Sequence, residues 1–285
     1  MSFTCFDVSI KDHIAHLVLN RPQKRNSMIP AFWDELPAII RDLDRQADAR
    51  VIVISSTGPH FSSGLDTAVF GSEAALANES SQAELISRQR AARLHDTIRI
   101  MQQTFSALEN CRVPVLAAIQ GGAIGGAVDM ITACDMRYMT ADAFVTIHEI
   151  NIGMTADVGT FPRLVKLIPE GIVRELAYTG RRMMAEEACA AGLVNRVYPD
   201  QGAMLEGVMG IAAEIATKAP LAIYGSKRVI NYSRDHSTAD GLDYVAAWNG
   251  GMLQPAEIHE AFAATAQRRP AQFAQLPPLK DKLAD

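Results

Sequence analysis

The chain has 285 residues, 48% of them hydrophobic, and a net charge of −5. It is long enough to bury a sizeable core in one large domain or two small ones, and its acids and bases are interspersed, so nothing argues for a nucleic-acid partner. Cys5, Cys111, Cys134 and Cys189 include no CxxC pair, which argues against a disulfide framework or a structural zinc site. Asp7 and Lys11 interrupt the first apolar stretch, unlike a signal peptide, and no apolar window is long enough to span a bilayer. A soluble, cytoplasmic protein with no membrane partner is the expectation.

In chain order, residues 6–10 and 14–19 read as paired strands around Lys11-Asp12-His13. Residues 31–45 carry apolar side chains at helical spacing, and 51–54 form a short β-branched run. The polar, alanine-rich stretch 71–82 reads as a mobile loop. Leu94, Ile98, Met101, Phe105 and Leu108 recur at steps of three and four and mark one face of a long helix, which Pro114 ends. Residues 115–119 are a continuous apolar run suited to a strand covered on both faces, and 136–139 and 144–147 give two more strands. Beyond about Pro169 the segments 173–178, 185–191, 204–218, 221–232, 239–250 and 256–268 all read as helical. Alternating strands and helices predict an α/β layered core over 1–200, followed by a helical region over 201–285.

Two glycine turns and three carboxylates stand out. Phe61-Ser62-Ser63-Gly64-Leu65-Asp66 follows one strand, and Gln120-Gly121-Gly122-Ala123-Ile124-Gly125-Gly126 follows another. Each is compatible with an ordinary strand-to-helix turn or with tight packing of a helix on the sheet. Each also leaves a main-chain N–H pointing outward, and two such donors on one oxygen make an oxyanion hole. The spacing fits neither a dinucleotide fingerprint nor a phosphate loop. Asp129 falls one turn into the Gly126 helix, Glu149 follows the 144–147 strand, and Asp157 lies at a further glycine turn, Met154-Thr155-Ala156-Asp157-Val158-Gly159. Singly, each carboxylate is compatible with a cap or an ion pair. Buried together they raise one another's pKa and become able to exchange protons near neutral pH. His148 is expected to point away from Glu149, as strand neighbours do. Neither a nucleophile elbow nor metal-ligand spacing is present, so covalent and metal catalysis are disfavoured.

These motifs resemble the crotonase (enoyl-CoA hydratase/isomerase) superfamily. Leu19-Asn20-Arg21-Pro22 with Asn26-Ser27-Met28 resembles its N-terminal motif, and the turns at Ser63–Asp66 and Gly125-Gly126 resemble its two oxyanion turns. The resemblance implies an α/β fold of repeated ββα units with a helical trimerisation region, assembly as homotrimers or dimers of trimers, an acyl-CoA thioester substrate and no separate cofactor. It also implies substrate contacts at Ser63, Gly64, Leu65, Asp66, Gly125 and Gly126. Hydratases of the family use two glutamates. This chain has Asp129 at the first of those positions, keeps Glu149 at the second and adds Asp157.

That set, with 152–160, Arg182-Met183-Met184-Ala185, Tyr232-Ser233-Arg234-Asp235-His236-Ser237 and Leu242-Asp243-Tyr244, resembles the Δ3,5-Δ2,4-dienoyl-CoA isomerase subgroup of fatty acid β-oxidation. The resemblance implies Glu149 as base at C2, Asp157 as acid at C6 and Asp129 as a supporting carboxyl. Arg21, Lys24 and Lys227 are candidate contacts to the coenzyme A phosphates, or else solvated surface charge. Other readings are enoyl-CoA hydration, a simpler double-bond shift, or an oligomeric RNA-binding protein with a vestigial pocket; the acidic balance weighs against the last.

Overall fold

Residues 51–56 and 115–119 are buried at every position, as strands covered on both faces must be. In the computed structural model of the chain, which describes residues 3–66 and 81–280 (81–87 by backbone alone), they are the central strands. β1 (Phe6–Lys11) and β2 (Ile14–Leu19) form an antiparallel hairpin. Its two turn residues, Asp12 and His13, take φ of 50° and 64°, the geometry that suits the strand twist. β3 (Val51–Ser56) and β4 (Val115–Ile119) join in parallel. The sheet continues past β4 through β6 (Met136–Thr140) and β9 (Arg196–Tyr198), giving the order β1-β2-β3-β4-β6-β9. A smaller sheet has the order β5-β7-β8, with β5 Gly122–Ile124, β7 Phe144–Thr146 and β8 Met183–Met184.

Helices cover both faces of the large sheet. α1 (Pro30–Gln46), α2 (Ser81–Asn110) and α3 (Gly126–Ala133) lie on one side. There Phe32, Leu36, Phe105, Leu108 and Met130 pack in one buried cluster with Ile52, Ile54, Ala117 and Ile119. Three short helices follow: α4 (Thr160–Leu164), α5 (Glu170–Thr179) and α6 (Ala185–Ala190). α7 (Gln201–Ala216) closes the opposite face. Its Met204, Val208 and Ala212 meet Val51, Val53, Leu116 and Ala118, the other half of the strand alternation. α8 (Pro220–Asp235), α9 (Thr238–Met252) and α10 (Pro255–Gln267) complete the helices of the described residues.

The region beyond Pro169 is not all-helical. β8 pairs antiparallel with β7, and β9 pairs in parallel with β6. Strands of two and three residues are too short for periodicity to register. β5 is likewise hidden inside the glycine motif, and the turn it makes there carries the chain from the large sheet into the small one. Of the stretch 71–82 read as a loop, 71–80 lie outside the described residues, and Ser81 and Gln82 open α2.

Candidate active site

The first glycine turn is held from both sides. Ser62 Oγ donates to Asn26 O at 2.8 Å and accepts from Gly64 N at 3.1 Å. Gly64 has φ +77°, and a Cβ there would sit 2.5 Å from Ile124 O, so no other residue fits without displacing main chain. Met28 N donates to Gly64 O, and Asp66 N donates to Met28 O. The Leu65 N–H shares its trans peptide with Gly64 O and therefore points the opposite way, toward the second turn.

That second turn depends on Gly125, with φ 55° and ψ −121°, a conformation open to glycine. It swings the Gly126 N–H out at the first position of α3. The two turns lie side by side: Ser62 bridges Ala123 in parallel, and Gly126 N lies 3.0 Å from where a Gly64 Cβ would stand. Among the described residues neither Leu65 N–H nor Gly126 N–H donates to any main-chain acceptor. Two converging, unspent donors at a helix start suit an anionic oxygen.

The carboxylates border this pair. A Cβ on Gly125 would lie 3.1 Å from Glu149 Oε1, so Glu149 packs directly on the second turn. Its Oε2 is buried with no hydrogen-bond partner among the described residues. Burial, with the Asp157 charge adding, raises its pKa. Asp129 is 1% exposed. Its Oδ1 accepts from both Thr160 N at 2.6 Å and Thr160 Oγ1 at 2.8 Å. Burial raises the Asp129 pKa to about 7 against these two bonds, and the charges of Glu149 and Asp157 add to the rise. Asp157 is half-buried, and desolvation raises its pKa too. All three acids are thus displaced upward in one electrostatic neighbourhood, a pattern of proton-transfer sites.

Other candidates fall differently. Ser63 donates its N–H to Arg25 O at 2.9 Å, and Asp66 accepts from Ser27 Oγ at 2.8 Å, so both brace the first turn. Arg21 reaches Ser27 O, and Lys24 is exposed. Lys227 is neither a phosphate contact nor surface charge. It is 6% exposed, donates to Leu108 O and Val113 O at 2.9 Å, and pairs with Asp135 at 2.8 Å. A buried ammonium needs such partners. His148 is exposed and lies near Asn151; β7 stops at Thr146 and Glu149 opens a 3-10 turn, so strand alternation is not what separates the two side chains. Sequence reasoning missed Thr160, Ser62 and Gln120, whose buried amide holds Ser56 O at 2.8 Å beneath the second turn. Only the polar residue at each glycine turn hinted at them.

The family Enoyl-CoA hydratase/isomerase matches residues 9–276. The mitochondrial Delta(3,5)-Delta(2,4)-dienoyl-CoA isomerase of Homo sapiens is 43% identical over 262 residues, 92% of this chain and 78% of that protein. The peroxisomal protein of the same name from Arabidopsis thaliana is 40% identical over 263 residues, 92% of this chain and 93% of that one. The crystal structure of enoyl-CoA hydratase from Bacillus anthracis superposes with a TM-score of 0.83 at 28% identity, covering 95% of this chain and 99% of the other. With its two sheets, paired glycine turns and C-terminal helices, the chain belongs to the enoyl-CoA hydratase/isomerase family and has the crotonase fold.

Proposed function

We propose that the chain is a Δ3,5-Δ2,4-dienoyl-CoA isomerase, shifting a proton from C2 to C6 of a 3,5-dienoyl thioester. The observation that carries the reading is Glu149: a buried, unpartnered carboxylate oxygen beside the Gly125 turn and its outward N–H. A buried polar atom without a partner calls for a reason, and a base waiting for a proton supplies one. The relatives' names support the same reaction.

Glu149 takes the C2 proton, and the C–H electrons form C1=C2 and push the carbonyl pair onto oxygen, giving a trienolate whose oxygen accepts from Leu65 N–H and Gly126 N–H. Asp157 then delivers a proton to C6. The C5=C6 pair forms the new C6–H bond, the C3=C4 pair moves to C4=C5, the enolate C1=C2 pair moves to C2=C3, and an oxygen pair re-forms the thioester carbonyl. Glu149 finishes protonated and Asp157 ionised; both are partly open to solvent, so exchange with water restores the starting state. Coenzyme A is part of the substrate, and the scheme draws on no further cofactor. Asp129, saturated on one oxygen by Thr160, supports Glu149 and takes no part in bond making. Without a second glutamate to hold water, hydration of crotonyl-CoA is expected to be slow.

The test is an ultraviolet assay for the conjugated 2,4-dienoyl thioester with wild type and Asp157→Asn. The variant should lose isomerisation while still exchanging the C2 hydrogen in heavy water. Near-normal isomerisation by the variant, or brisk crotonyl-CoA hydration by wild type, contradicts the reading.

Assembly as a trimer or a dimer of trimers is part of the proposal. It is supported by Ile230, Leu242 and Phe262, which are 66%, 63% and 71% exposed on the C-terminal helices, and sedimentation equilibrium checks it. The expectation of a cytoplasmic location rests on the cysteine pattern and the charged N-terminal stretch; the named relatives are mitochondrial and peroxisomal.

A further inference from the structure

Asp157 differs from its two neighbours in how it is held. Asp129 has Thr160, and Glu149 is wedged against Gly125. Among the described residues no side chain donates to the Asp157 carboxylate, so its direction is set by its backbone. One side chain grips that backbone: Gln102 Nε2 donates to Asp157 O at 2.7 Å. Pinning this carbonyl sets the peptide plane that leaves Asp157 and so restricts the rotation that aims its Cβ.

Gln102 does not act alone. Gln102, Ser106 and Glu109 stand at i, i+4 and i+7 on one face of α2, and Ser106 Oγ donates to Gln102 O at 2.9 Å. Arg163 of α4 bonds both Ser106 Oγ at 3.2 Å and Glu109 Oε2 at 3.2 Å. Its guanidinium fills the space beside Gly159, where φ is +134° and a Cβ would lie 1.9 Å from Nη1. The far side of Glu109 pairs with Arg234 of α8 at 2.6 Å. The segment 157–163, which carries both Asp157 and the Thr160 anchor of Asp129, is therefore laid along a polar rail on α2.

We propose that Gln102 is a positioning residue for the reaction, holding Asp157 at the depth where it reaches C6, with Ser106, Glu109 and Arg163 as the rest of the rail. This rests on the assignment of Asp157 as the C6 acid. The variant is Gln102→Met, which keeps the length and apolar stem and deletes the donor. A displacement of about an ångström costs on the order of a hundredfold in rate. Isomerisation kcat should therefore fall roughly ten- to a hundredfold, with KM within about twofold and C2 hydrogen exchange in heavy water at the wild-type rate, because Glu149 is held elsewhere. Gln102→Asn, which keeps the amide, should recover part of the loss.

The outcomes separate the two claims. If Asp157→Asn abolishes isomerisation but Gln102→Met leaves kcat intact, the positioning role is wrong and the C6 assignment stands. If Gln102→Met lowers C2 exchange and isomerisation in parallel, Gln102 is merely structural and the inference fails. If Asp157→Asn itself isomerises normally, both claims fall together.

Discussion

Thr160→Val isolates one hydrogen bond in the site. Valine keeps the main-chain N–H to Asp129 Oδ1 and removes the hydroxyl that donates to it at 2.8 Å. A hydrogen bond to an ionised acceptor contributes about 1.5–3 kcal/mol, and to a neutral one about 0.5–1.5 kcal/mol. The hydroxyl therefore favours the ionised form by about 1.4 kcal/mol, or roughly one pK unit. Burial already pushes the Asp129 carboxyl up to about 7, from 3.8. A carboxyl raised on folding contributes stability that is fully present below its unfolded pKa and lost as pH climbs through its folded pKa. In the variant that loss extends upward by roughly one unit. Thr160→Val should thus cost about 1 kcal/mol near pH 5.5, where Asp129 is neutral in both proteins, and about 2.4 kcal/mol near pH 9. Urea unfolding at one fixed protein concentration, run at both pH values, measures the difference. An equal cost at the two pH values would falsify the claim that this hydroxyl tunes the Asp129 proton.

Gly64→Ala puts a methyl 2.5 Å from Ile124 O and 3.0 Å from Gly126 N. It should cut kcat by about a hundred- to a thousandfold, the loss typical of one oxyanion donor, and stopped-flow isomerisation alongside a melting curve reads it. Lys227→Met strands the Asp135 carboxylate and removes the donor from Leu108 O and Val113 O; a stability loss of about 3–5 kcal/mol is expected from chemical denaturation at neutral pH. The pH profile of kcat/KM should show an acid limb above the ordinary glutamate range, because burial raises Glu149 and only its ionised form accepts the C2 proton. A limb at the ordinary glutamate position contradicts that assignment.

The central strands and the two glycine turns were legible because their signals are local. Residues 51–54 of β3 and all of β4 are unbroken apolar runs, and Gly64 and Gly125 mark positive φ. The supports of the carboxylates were not legible, because they are made across the fold. Thr160 meets Asp129 from 31 positions away, and Gln102 meets Asp157 from 55. No spacing rule reaches that far, and a glutamine or threonine on a helix looks like surface. Lys227 misled for the same reason: a lysine in an amphipathic helix is ordinarily solvated, and only the convergence of Leu108, Val113 and Asp135 explains its burial. The resemblance pointed to the three acids, but not to the contacts that hold them.

Both donors of the proposed oxygen-binding pair are main-chain N–H groups, and the ladder that spaces them is main chain as well: Ser62 N to Gly122 O at 3.2 Å and Ile124 N to Ser62 O at 3.0 Å. The aperture is therefore a property of register, like the pitch of a screw thread, and does not depend on which side chains stand at Ser63, Leu65 or Ile124. The ladder and the placement of Asp157 rest on separate contacts, the latter on Gln102, whereas Glu149 packs on the second turn itself. One backbone frame can retain its grip on a thioester while the acids around it are exchanged, so that redesigning the reaction on this scaffold means moving carboxylates and leaving the ladder alone.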